Sequence, residues 1–311
     1  DPVNGQVWYN SDTQTLKGFT SNPAGTWSTS NAMNNGRGDV GSAGTQTSAI
    51  AIAGGSPPSF DADSEGYNGS SWTEFANVNT ARYLGGGAGA SSTAALFFGG
   101  NTSSGVTDIV ESFNGTSWTE VGDLNGTKLM PGAAGTQTAA ISMGGQRGAA
   151  NLDETELFNG TAWTETTELN AARYAMSGCG TSTEGLVIGG VPSTANVEHW
   201  NGSTWTEIAN IGTTRWEGAS TGSASAGLLA GGDSPAGKHN DTEEFTAPAV
   251  FRQFNVGDIY YNADPGSGVL KYVGYGTGAW ASGGTLNTAV QTMAGLGIQT
   301  AALSVGGYGG S

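Results

Sequence analysis

A single cysteine, Cys179, stands in 311 residues, so no disulfide can form within the chain. His199 and His239 are the only imidazoles, which leaves almost nothing from which to build a thiolate–imidazole metal cage or a histidine-based catalytic centre. Basic residues are scarce too: 10 Lys and Arg face 26 Asp and Glu, for a net charge of −16. With no Lys/Arg cluster, neither a nucleic acid nor an anionic membrane surface is an expected partner. No run of about 18 apolar residues exists, so no membrane insertion is expected, and no secretory leader is visible. Helical periodicity is missing as well, because glycines interrupt every candidate helix.

What the chain has instead is glycine, 54 residues of it, together with nine Trp, nine Tyr and ten Phe. Aromatics in that number must be buried, which argues against disorder. The glycine is also periodic. A Gly-Gly pair follows a short apolar run at 54–55, 99–100, 144–145, 189–190, 231–232 and 306–307, at intervals of 45, 45, 45, 42 and 75 residues. Tryptophan keeps nearly the same rhythm at Trp27, Trp72, Trp118, Trp163, Trp205 and Trp280. Four of these sit in variants of one phrase: Tyr67–Glu74, Phe113–Glu120, Phe158–Glu165 and Trp200–Glu207.

Each unit reads as four short strands. Ala94–Phe98 is continuously apolar, as a strand buried on both faces must be. Asn-Gly at 68–69, 114–115, 159–160 and 201–202 predicts a hairpin with a type I′ turn. A further strand is expected after each basic residue, Arg37, Arg82, Lys128, Arg173 and Arg215. The double glycine would let a neighbouring aromatic approach the backbone, and the Trp would plug the gap between adjacent blades. Glu74, Glu120, Glu165 and Glu207 are the expected partners of the basic residues, in exposed pairs worth about 0–1 kcal/mol each.

An apolar strand, a double glycine, an aromatic and a Trp at about 45-residue spacing resemble the Kelch family of propellers. The resemblance covers residues 34–245 in five units, with a further start at 285–307. It implies an all-β propeller of about seven four-stranded blades, with six as the alternative. The units fall near 34–78, 79–123, 124–168, 169–210, 211–253 and 254–284, within one domain spanning 1–311. A closing blade would come from 285–311 plus 1–33. Residues 5–17 with Trp27 match residues 257–271 with Trp280 at an offset of about 252, so the two ends are expected to pair and close the ring. A longer array of 252-residue super-repeats is the other reading. The low-charge Thr/Ser/Asn/Gly wording also resembles Kelch-type virion proteins of marine tailed phages, and Gly257–Asn262 followed by Leu270-Lys271 resembles modules common in phage tail proteins.

The Kelch resemblance raises galactose oxidase, whose copper needs two Tyr, two His and a Cys-linked Tyr; Cys179, His199 and His239 do not match that set, so no cofactor and no metal are expected. Sialidase boxes are excluded because their Asp is missing from every copy. Arg37-Gly38-Asp39 reads as the repeat's basic position and not as an adhesion motif, and the acidic groups at 61–65 and 153–156 read as solvated loops. The expected function is therefore non-catalytic: a binding or structural module, part of a phage tail or fibre, in a virion or extracellular setting. Its partner would be a host surface glycan or a neighbouring virion protein, and a homo-oligomer is compatible. A secreted carbohydrate-active enzyme and an intracellular scaffold are the alternatives. The connections between second and third strands vary while the framework repeats, so binding is expected there, at Asp61, Asp63, Asn101, Arg147, Asn151, Asp233 and Asn240.

Overall fold

The computed structural model describes residues 31–55 and 58–247, together with the strands Val7–Asn10, Thr15–Gly18, Ile259–Asn262, Val269–Tyr272, Val290–Gln291, Ala294–Ile298, Ala301–Val305 and Tyr308–Gly309. The chain divides into two compact units, 1–246 and 247–311. The first carries an all-β propeller of five blades. Blade 1 is built from Gly41–Thr45, Ser48–Gly54, Asp61–Tyr67 and Trp72–Glu74. Blade 2 uses Gly86–Ser91, Ala94–Phe98, Val110–Phe113 and Trp118–Glu120, with a small hairpin, Asn101–Thr102 and Gly105–Val106, in its loop. Blade 3 is Gly132–Thr136, Ala139–Arg147, Ala150–Phe158 and Trp163–Thr166, and blade 4 is Ser177–Gly180, Gly185–Ile188, Val197–Trp200 and Trp205–Glu207. Blade 5 has three described strands, Ala219–Ser223, Ala226–Ala230 and Thr242–Thr246. First strands of successive blades are neighbours, so they form the innermost layer.

Five blades among the described residues, and not the expected seven, is the first correction to the sequence reading. That reading fills the 75-residue interval before Gly306 with a blade of its own. The described part of the expected unit 254–284 instead holds a two-stranded hairpin, Ile259–Asn262 with Val269–Tyr272. The counterpart at the other end, Val7–Asn10 with Thr15–Gly18, is likewise a hairpin. Ala301–Val305 pairs with Ala294–Ile298, in a register that repeats the first hairpin of blade 1, with Gln299-Thr300 where blade 1 has Gln46-Thr47. The pairing expected between the two ends is not among the described strand pairs. The rest of 254–284 and 285–311, with Trp27 and Trp280, lies outside the described residues.

Apolar second strands supply the core, as their sequence requires. Leu96, Phe97 and Phe98 are fully buried, and so are Ile52 and Ile141. The Trp is the inter-blade plug. Trp118 of blade 2 packs on Ile50 and Ile52 of blade 1, and its indole N–H donates to the Ala76 carbonyl at 3.0 Å. Trp163 of blade 3 lies edge-on to Phe98 of blade 2 at 4.9 Å. Trp205 of blade 4 donates to Thr155 Oγ1 of blade 3 at 3.0 Å. Each of these three Trp residues thus closes a junction with the preceding blade.

Two local expectations change. At the Asn-Gly turns only glycine takes positive φ, +93° at Gly69 and +91° at Gly115, so the turn is not type I′. Asn68 Oδ1 instead accepts from the backbone N–H groups of Ser70 and Ser71 at 3.0 and 2.9 Å, and Asn114, Asn159 and Asn201 do the same. Such an Asx turn is the local alternative that asparagine offers the backbone.

The double glycine does not seat an aromatic. Its second N–H reaches the carbonyl of the next blade's basic residue: Gly100 to Lys128 at 2.7 Å, Gly145 to Arg173 at 2.9 Å, Gly190 to Arg215 at 3.0 Å. In blade 1 this role falls one residue early, with Gly54 donating to Arg82 at 3.0 Å and Ala53 taking positive φ in the place of a glycine. Gly100 sits at φ +98°, and a Cβ there would lie 2.7 Å from the Tyr83 carbonyl oxygen. Gly100→Ala is therefore expected to destabilise the propeller by more than the roughly 1–2 kcal/mol of a strained backbone. Thermal unfolding checks this, with Gly105→Ala as the comparison. Gly105 also has positive φ, but a Cβ added to it would meet nothing within 4 Å.

Candidate binding rim

The rim is organised by the basic residue of each unit. The sequence reading places it in an exposed pair with the outer-strand glutamate. The structure buries it and pairs it with a different glutamate, two residues before the aromatic of the third strand. Arg37 meets Glu65 at 2.7 Å, Arg82 meets Glu111 at 2.5 Å, Lys128 meets Glu156 at 2.7 Å and Arg173 meets Glu198 at 2.8 Å. Arg215 contacts Glu243 and, at 2.8 Å, Asp241. The outer-strand residues Glu74, Glu120, Glu165 and Glu207 are exposed.

Each buried carboxylate also accepts from the linker that enters its blade. Asn34 N–H donates to Glu65 at 2.7 Å, Asn79 to Glu111 at 2.6 Å, Asn125 to Glu156 at 2.8 Å and Asn170 to Glu198 at 2.8 Å. At Glu65 burial acts to raise the carboxyl, but hydrogen bonds from Asn34, Arg37 and Asn35 and the Arg37 charge hold it below its ordinary value. Burial likewise lowers Arg82 from its ordinary value, opposed by Glu111.

Two residues beyond the basic position the backbone takes positive φ at a non-glycine in every blade: Asp39, Leu84, Met130, Ala175 and Glu217, between +51° and +59°. Strain of this kind persists only where surrounding structure imposes it. Here a chain of inter-blade bonds does so: Leu84 N–H donates to Asp39, Met130 to Leu84, Ala175 to Met130 and Glu217 to Ala175, at 2.8–3.1 Å. The variable loops leave the second strands beside this chain. Single bridges Gly38–Gly55, Tyr83–Asn101, Leu129–Gln146, Tyr174–Val191 and Trp216–Asp233 anchor all five in the same way. Five loops of different length and wording therefore share one rim.

Of the seven expected binding residues only Asp233 and Asn240 lie in connections outside the named strands; Asp61 and Asp63 belong to the third strand of blade 1, Arg147 and Asn151 to the long hairpin of blade 3 and Asn101 to the small hairpin of blade 2, and among the described residues no hydrogen bond or ion pair joins any two of them. Asp61 opens the third strand of blade 1 opposite Gly54. Asp63 accepts from Asn35 and Asn77 at 3.0 and 3.2 Å. Asn101 exchanges backbone bonds with Tyr83 and donates from its side chain to the Tyr83 hydroxyl at 2.9 Å. Arg147 holds Glu154 through both terminal nitrogens at 3.0 and 2.9 Å and caps the Thr127 carbonyl. Asn151 faces Gln146 across the hairpin, Asp233 accepts from the Ser234 N–H at 2.8 Å, and Asn240 is exposed.

Sequence reasoning missed the acidic pair beside these loops. Burial raises the Glu217 carboxyl, reinforced by Asp39 and Asp233, and burial raises Asp39 as well. The only signal available was position, two residues past each basic site. Phe60, the sole aromatic in the loops, packs at a tilt against Tyr83, with ring centres 5.3 Å apart.

A space of about 550 Å³ runs between the five innermost strands, lined by Ser42, Gly87, Ala134, Cys179, Ser220 and their neighbours. Its walls are mostly glycine, alanine and small hydroxyl residues. Burial pushes the Cys179 thiol up to about 11, so it stays protonated at neutral pH. Among the described residues no three His, Cys, Asp or Glu side chains gather as a metal site. No protein-family model and no curated protein matches this chain.

Proposed function

We propose that the chain is a non-catalytic Kelch-type propeller, a tail or fibre component of a phage virion, that binds through its variable rim. The observation that carries this reading is the division of labour between framework and loops. The repeated charged residues are consumed in buried pairs that fix the blades, whereas the five loops differ from one another on a common rigid anchor. Variable segments on an invariant scaffold are where recognition is built. The partner is a neighbouring virion protein or a host surface glycan. Phe60 favours the protein, because its ring is already packed against Tyr83 and sugar faces are usually held by a free aromatic.

The test replaces the loop tips 102–105 and 235–238 by Gly-Ser turns of equal length. These lie outside the buried pairs, so the fold is expected to be retained. The unaltered chain is expected to be retained by host cells or by virions stripped of this protein, and the loop variant to lose at least tenfold in retention. Equal retention by the two would overturn the rim as the working surface.

A further inference from the structure

The residue after each basic position bridges to the start of a rim loop, and it differs from blade to blade: Gly38, Tyr83, Leu129, Tyr174 and Trp216. Two of the three aromatics in this set are engaged. Tyr83 packs against Phe60, and its hydroxyl accepts from the Asn101 amide at 2.9 Å. Tyr174 packs against the buried cluster that joins blades 3 and 4. Trp216 is half-buried, yet among the described residues its ring meets no aromatic or cation and its indole N–H reaches no acceptor. It also belongs to none of the four buried clusters.

The charge around it is of one sign. Trp216 exchanges backbone bonds with Asp233 at 3.0 and 2.8 Å, and Glu217 follows it in the chain. Glu217 lies within the field of Asp233 and of Asp39 from blade 1. In blades 2 to 4 the positions of Glu217 and Asp233 are held by Leu84, Met130 and Ala175 and by Asn101, Gln146 and Val191. Negative charge at these positions is therefore confined to blades 5 and 1. Among the described residues none of Asp39, Glu217 and Asp233 forms an ion pair. The cations of the two blades are engaged elsewhere: Arg37 with Glu65, Arg215 with Asp241 and Glu243, and His239, once protonated, with Asp241. Lys238 is exposed in the blade 5 loop and, among the described residues, forms no ion pair.

We infer that Trp216, with Asp39, Glu217 and Asp233 beside it, receives an arginine or lysine side chain of a partner protein. The inference rests on the rim as the working surface and names the chemistry taken there. A cation over an aromatic face is held by the ring quadrupole, and the indole is the best ring for this. Carboxylates around the same ring meet the charge itself. Burial and the charges of Asp39 and Asp233 raise the Glu217 carboxyl, so a cation brought there relieves a repulsion that the free chain carries. The net charge of −16 steers a basic partner in the same direction. A sugar is served less well, because ionised carboxylates offer its hydroxyls acceptors and no donors.

The probe is the capped tripeptide Gly-Arg-Gly, titrated into the isotope-labelled full chain and followed by the indole N–H resonances. The Trp216 resonance is assigned by its loss in Trp216→Leu. It is expected to shift saturably with the arginine peptide, while that of Trp72, half-buried beside Tyr67 in blade 1, stays in place. The same peptide with citrulline keeps the shape without the charge and is expected to leave the Trp216 signal unmoved. Glu217→Gln, an exposed change, is expected to keep the unfolding temperature and to weaken the arginine peptide by roughly tenfold, the size of one partly desolvated cation contact. This variant carries the test even where Trp216→Leu does not fold. No shift at Trp216, an equal response to citrulline, unchanged affinity in Glu217→Gln, or a shift with maltotriose in place of arginine would each overturn the inference. Retention on cells or virions is read separately. Loss of retention by the loop variant with no peptide shift overturns this inference alone, whereas a peptide shift with retention unchanged overturns the rim as the working surface.

Discussion

Trp118→Ala is expected to cost about 3–5 kcal/mol of stability, the range for deleting a buried large aromatic. Trp118 is 6% exposed and packs among Ile50, Ile52, Val78, Phe97 and Phe113. Its removal therefore opens a cavity between two blades that neither can collapse to fill, because both are held by their own ladders. The substitution also orphans the Ala76 carbonyl, which accepts the indole N–H. Trp72 is the internal comparison. It holds the same repeat position in blade 1 but is only half-buried, with Tyr67 at 5.1 Å. Trp72→Ala is expected to cost clearly less. Chemical denaturation of the three proteins checks this. Equal losses would show that the indole acts within its own blade and not as a plug between blades.

The repeat made the fold legible because its signals are local and recur. A continuous apolar strand, an Asn-Gly turn and a Trp at fixed spacing each report a backbone requirement, and all three point to a four-stranded blade. Blade count was not legible in the same way. It depends on where the period stops, and Ile259–Asn262 with Val269–Tyr272 reads equally well as half a blade or as a free-standing hairpin. Pairing between charged residues was misread for a related reason. Glu120 and Glu111 both lie near Arg82 in the unit. Only the fold shows that Glu111 points inward beside the arginine while Glu120 points to solvent.

The candidate site was legible as a set of loops and not as a set of side chains. Variation among the second-to-third connections is visible in the sequence, and the five equivalent bridges give these loops one anchor. Which of their polar groups are free is decided by partners far along the chain. Asp63 is engaged by Asn35, 28 residues away, and Arg147 by Thr127, 20 residues away. No composition argument reaches across those distances.

Removing one partner of a buried pair is expected to be as damaging as removing the Trp. The Arg82 and Glu111 side chains are both 0% exposed. Arg82 donates to the carbonyls of Gly99, Thr80 and Phe97 at 3.0, 2.9 and 3.1 Å, and its guanidinium lies 4.3 Å from the centre of the Phe97 ring. Glu111 takes up the N–H groups of Asn79 and Thr80. Glu111→Ala strands a buried cation and orphans those donors, which is expected to cost about 3–5 kcal/mol. Arg82→Met with Glu111→Leu is expected to cost less than the sum of the single changes, since no uncompensated charge remains. An additive double variant would show that the pair acts only through its separate backbone bonds. Acid probes the same architecture at Glu65. Its folded-state carboxyl is held below its ordinary 4.5, so its contribution is fully present above that pH and is lost as pH falls through the lowered value. Glu65→Gln is therefore expected to be less stable at neutral pH and to show a flatter loss of stability below about 4.5 than the unaltered chain. Parallel loss with pH in the two proteins would place acid sensitivity elsewhere than in the buried pairs.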